Sequence, residues 1–183
     1  MKRNAAGAAQ TDREEPVSDP AKYDGGSADQ HVKNQEKNEF LRKCMEYRNR
    51  NNRFGNLVGL TITDLDTGYA KGELAVRDEL TNPIHSVHGG CLYTLADSVG
   101  GSASATYGMI TPTVSSDMHF LSPAMNCGKV ICEAREIKHG KRLCVYDIRI
   151  TDETGKMLAV GTFTYASTGL NIEDLMAQEE KQA

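Results

Sequence analysis

Asp97, with Gly89 eight residues before it and Asn82 further upstream, is the first group in this chain that could do chemistry. The glycine belongs to His88-Gly89-Gly90, which opens a helical pattern. Backbone N–H groups at a helix start are unsatisfied and carry about half a positive charge between them. Such a spot can polarise a carbonyl or hold an oxyanion, worth about 3–4 kcal/mol of barrier where one donor has been removed from comparable sites. Flexible entry into a helix is the plainer use of the same glycines. Asp97 falls mid-helix, where aspartate has poor propensity and gains nothing from the dipole. Around it stand Tyr93, Gly100, Gly101 and Ser104, mostly small residues that admit another backbone or a ligand. A solvated face is the alternative, although it would more usually carry larger charged companions.

Geometry constrains how these groups could cooperate. Eight residues separate Gly89 from Asp97, about 12 Å along one helix axis. A general base and an oxyanion donor must flank the same carbon at about 3 Å each, directly or through one water. One helix cannot do both. Two copies running antiparallel about a two-fold axis near Tyr93 would bring Gly89 of one beside Asp97 of the other, so the cooperating unit would be a homodimer with two shared sites.

The elements that must hold this helix are legible on either side. Val58 to Leu65 alternates apolar and polar, Asp66-Thr67-Gly68 reads as a turn, and Tyr69 to Val76 is a second strand. Leu92, Leu95, Ala96, Val99 and Ala103 recur at three- and four-residue steps, with Gly108 as a stop. Four strand signals follow: Thr113 to Leu121, Lys129 to Lys138, Leu143 to Thr151, and Lys156 to about Ser167. Short breaks between neighbours imply antiparallel pairing. The fold class expected is α+β, an antiparallel β-sheet of about six strands around one long central helix.

Outside that body, residues 1–27 read as a disordered tail, 28–50 as a helical arm, 54–168 as the main domain and 169–183 as a C-terminal tail. Phe40, Leu41, Cys44, Met45 and Tyr47 give the arm an apolar stripe suited to weak docking. The 183 residues carry a net charge of −4, and no Lys/Arg run exceeds two, which excludes the footprint of a general nucleic-acid binder. No segment has the apolar length of a membrane span or the h-region of a secretory signal. Five scattered cysteines without a Cys-x-x-Cys pair fit free thiols, hence a cytoplasmic setting.

Asn82-x5-His88-Gly89-Gly90-x4-Leu95-x-Asp97, followed by Val114-Ser115-x-Asp117-Met118 and Leu121-Ser122-Pro123, resembles the PaaI-type acyl-CoA thioesterases of the hotdog-fold superfamily. The likeness spans about residues 54 to 168. It implies a curved sheet wrapped round the helix, dimerised edge to edge and often paired again into a dimer of dimers. The implied reaction is hydrolysis of an acyl- or aroyl-CoA. Carried over, Asp97 activates water, or attacks directly. Ser115 helps place the water, Gly89 N–H and Asn82 polarise the thioester carbonyl, and His88 orients the carbonyl or assists the departing sulfur. Gly90 joins them as a substrate contact. Lys138, Lys141 and Arg142, at a hairpin tip, could meet coenzyme A phosphates or simply be solvated. The bulky Pro83-Ile84-His85 departs from the small residues expected in that loop.

Other chemistries find little support. His85 lies in a loop with no helix to align it with His88 and His119 as a metal triad, and no His-Glu-x-x-His occurs, so no metal is expected. Gly-x-Ser-x-Gly and nucleotide-binding glycine fingerprints are absent, so neither an α/β-hydrolase nor a cofactor is implied. The alternatives kept are a hydratase or dehydratase on acyl thioesters, and a non-catalytic acyl-CoA sensor using the arm.

Overall fold

The computed structural model describes residues 28–181, so the tail expected over 1–27 lies outside the described residues. Helix α1 (Ala28–Asn51) leads through a short α2 (Arg53–Val58) into β1 (Leu60–Asp66) and β2 (Tyr69–Ala75). Then come α3 (Gly89–Ala105), β3 (Thr113–Phe120), β4 (Lys129–His139), β5 (Leu143–Asp152), β6 (Met157–Ala166) and α4 (Ile172–Glu180). All six strands join one antiparallel sheet in the order β1-β2-β4-β5-β6-β3. The sheet wraps α3, the hotdog arrangement.

The core follows the two periodicities of the sequence. On α3 the expected stripe of Leu92, Leu95, Ala96, Val99 and Ala103 is buried. On β5 every second residue, from Cys144 through Tyr146, Ile148 and Ile150, turns inward against it. The start of β1 differs from expectation by two residues. Val58 closes α2 rather than opening β1, because the Asn52 side chain caps that helix through the Gly55 N–H and Gly59 ends it at φ +80°.

The arm is not loosely attached. Leu41 and Cys44 are buried, and Cys44 clusters with Ala105 at the end of α3 and Ile172 at the start of α4. The segments outside 54–168 therefore share the body's packing. Asn49 of α1 meets the outer flank of β1 at two points: its Nδ2 donates to Ile62 O at 2.9 Å, and its Oδ1 accepts from Ile62 N at 2.8 Å. Lys37 adds an ion pair to Asp66 at the end of that strand, which holds the Asp66 carboxyl below its usual range. The opposite edge, β3, has no strand paired outside it among the described residues. Along β3, Val114 and Phe120 are each 54% exposed, so this edge presents unpaired backbone and apolar side chains together.

Candidate active site

The start of α3 is shaped by an unusual cap. His88 occupies the N-cap in extended conformation, and its Nδ1 accepts the Gly90 N–H at 2.9 Å. Ser, Thr, Asp and Asn are the ordinary choices there. With Nδ1 as acceptor, the neutral ring carries its proton on Nε2, and the ring is exposed. The Gly90 N–H, a candidate contact, is thus already spent. The Gly89 N–H has no acceptor among the described residues, and it stands half-buried beside the Phe120 ring.

Asn82 reaches the same place through a tight loop. Its Oδ1 accepts from the N–H groups of Ile84 and Ser86, both at 3.1 Å, and His85 takes φ +59° to close the turn. With the oxygen held by its own loop, the amide has only Nδ2 to offer a ligand, as a donor. Asn82, Ile84, Gly89, Phe120 and Pro123 line one cleft of about 300 Å³.

Asp97 lies elsewhere. Its Oδ1 accepts a 2.6 Å hydrogen bond from Thr113 Oγ1, and Oδ2 has no hydrogen-bond partner among the described residues. Its backbone carbonyl accepts from the Tyr165 hydroxyl at 3.1 Å. Burial, and then the Asp97 charge, push that hydroxyl far above the usual tyrosine range, so it stays a donor. The small residues around Asp97 admit these neighbours. A Cβ on Gly100 would stand inside contact distance of the Tyr165 hydroxyl and 3.0 Å from its Cζ, while Gly101 makes room for Arg48 of α1. Because Tyr165 is rigid and fully packed, Gly100→Ala is expected to cost about 1–3 kcal/mol of stability, read as a lower midpoint of urea unfolding.

Thr113 was not singled out by the sequence. A bulge between Thr113 and Ser115 changes the strand's parity. Thr113 and Ser116 thereby both face α3, Ser116 bonding the Tyr93 hydroxyl. Ser115 is exposed and has no hydrogen-bond partner among the described residues. A hydroxyl at the start of the strand returning along the helix was the only signal for Thr113. Lys138, Lys141 and Arg142 sit exposed at the β4–β5 tip, without ion-pair partners among the described residues.

The cleft beside Asp97 is larger, about 490 Å³. Its walls come from the end of α1, from α3, from the strand lead-in at Met109 to Thr113, and from α4. Among the described residues none lines both clefts. Asp97 and Gly89 therefore belong to separate hollows of one chain, with the β3 edge and its exposed Phe120 and Val114 between them. Among the described residues no group of His, Cys, Asp and Glu could hold a metal ion, and no helix is long and apolar enough to cross a membrane.

Comparisons with known proteins agree with this architecture. The Thioesterase superfamily profile matches residues 85–159. Human acyl-coenzyme A thioesterase 13 is 30% identical over 128 residues, spanning 68% of this chain and 91% of that protein. The Escherichia coli PaaI protein of the phenylacetic acid degradation operon is similar in structure, with TM-score 0.66 and 25% identity over 72% of this chain and 97% of that one. A Streptococcus pneumoniae hypothetical thioesterase solved with coenzyme A aligns at TM-score 0.57 and 25% identity, over 60% of this chain and 85% of its own.

Proposed function

This chain belongs to the thioesterase superfamily, as an acyl-CoA thioester hydrolase of PaaI type, and from that premise we propose that it hydrolyses acyl- or aroyl-CoA at a site shared between two protomers. The observation that carries the shared site is the separation of Asp97 and Gly89 into two clefts flanking an unpaired strand edge. An antiparallel pairing of β3 with its copy would set one protomer's base against the other's donors.

The division of labour follows from the hydrogen bonds. Thr113 fixes one oxygen of Asp97, and the other removes a proton from water as it attacks the thioester carbon. Ser115, with a free hydroxyl on the same strand, supplies the water's second hydrogen bond. Negative charge gathers on the carbonyl oxygen and is met by the Gly89 N–H and Asn82 Nδ2 of the partner protomer. The intermediate collapses with expulsion of the CoA thiolate. Thiolate leaves readily, so the exposed His88 Nε2–H needs only to assist it. Gly90 serves by holding His88 rather than by touching substrate. Lys138, Lys141 and Arg142 are assigned to the phosphates of coenzyme A, an exposed and salt-sensitive contact. A dimer of dimers would extend the same assembly.

A panel of short, medium, long and aromatic CoA thioesters tests the activity through release of free thiol. Turnover of at least one class is expected. An enoyl product without free thiol would instead identify a dehydratase, and saturable binding without turnover a sensor. The sensor reading also needs a free arm, whereas α1 buries Cys44 against α3 and α4.

A further inference from the structure

The cleft beside Asp97 holds more hydrogen-bond donors than the chain satisfies. Building on the thioesterase reading, we propose that this cleft receives the acyl group of the substrate, and that this acyl group ends in a carboxylate bound by Arg48 with Asn51 and Thr111 beside it.

Arg48 is half-buried in the cleft wall. Its Nε donates to Ser102 Oγ at 3.0 Å and one terminal nitrogen to Ser98 O at 3.2 Å. Both acceptors are neutral, and no carboxylate among the described residues lies within ion-pair distance of it. A guanidinium has five N–H donors and keeps its charge at any working pH. Holding one partly out of water without a counter-ion is unfavourable, and an anionic ligand would relieve that. Two further polar atoms of residues lining the same cleft, Asn51 Nδ2 and Thr111 Oγ1, are buried without partners among the described residues. Among the described residues Asp97 is the one carboxylate lining the cleft, and in the proposed reaction its second oxygen takes the proton of water.

The remaining walls define the rest of the ligand. Met109, Ile110, Pro112, Ile172 and Leu175 are apolar. A chain apolar in its middle and anionic at its tip matches that distribution. The phosphates of coenzyme A offer the same anionic chemistry but lie at the far end of the pantetheine arm. Arg48 bonds the carbonyl of Ser98, the residue next to Asp97, and so stands close to the carbon under attack. The helices that close the cleft, α1 and α4, lie outside residues 85–159 matched by the family profile. The selectivity would thus be built largely by segments outside the matched profile.

Calorimetry with two non-hydrolysable thioethers, S-(4-carboxybutyl)-CoA and S-pentyl-CoA, reads the preference without turnover. The full-length protein is expected to bind the carboxylate about ten- to a hundredfold tighter. Arg48→Met should erase that difference while leaving S-pentyl-CoA nearly unaffected, and Thr111→Val should narrow it. Equal binding of the two ligands by the unaltered protein overturns the proposal, as does a preference that survives Arg48→Met. If Arg48→Met weakens both thioethers and free CoA alike, the guanidinium serves the phosphates and the acyl assignment fails. Thiol release, measured separately, judges the hydrolase reading by itself.

Discussion

Asp97→Asn is expected to lower kcat/KM for thioester hydrolysis by about 10²- to 10⁴-fold, the usual contribution of a positioned general base. The substitution is close to isosteric, and its remaining carbonyl oxygen can still accept from Thr113 Oγ1, so the local fold should survive. What is lost is the carboxylate oxygen proposed to take the proton. The check is thiol release set beside thermal unfolding of the same preparation. A rate near that of the unaltered protein, at unchanged stability, would move the base elsewhere. A fall in both would mean only that α3 had been disturbed.

Mixing two inactive variants is expected to restore activity. Asn82→Asp keeps the oxygen that accepts from Ile84 and Ser86 but replaces the Nδ2 donor with a second acceptor. Alone it should fall about 10²- to 10³-fold, as when one oxyanion donor is removed. In a mixed dimer with Asp97→Asn, one site collects both lesions and the other none. Random pairing of equal amounts then gives about a quarter of the unaltered rate, since half the dimers are mixed and half their sites intact. Co-expression with two affinity tags and sequential purification isolates the mixed species. Activity no higher than the mean of the two parents would place base and donors within one chain.

Much of the scaffold was legible because each element carries its own period. The α3 stripe from Leu92 to Ala103 and the alternation of β5 both survive into the core, since burial sets the pattern in sequence and structure alike. The candidate site was legible only where a residue type is costly in its place, as with Asp97 mid-helix and the paired glycines after His88. Thr113 escaped because a one-residue bulge inverts strand parity, and nothing local announces it. Arg48 escaped for a different reason. It stands four residues after the buried Cys44, on the apolar stripe of α1, and a cation in that register was itself a sign. Its partners Ser98 and Ser102 are about fifty residues away, beyond the reach of any periodic argument. The same distance hid the way α1 and α4 close the cleft.

The paired hydrogen bonds of Asn49 with Ile62 have a consequence beyond anchoring α1. They act as a stopper on one rim of the sheet, while the other rim stays available. A sheet open on both rims can daisy-chain copy after copy into a ribbon. With one rim plugged, the sheet would have a valence of one, and pairing through the other rim would end after a single joining.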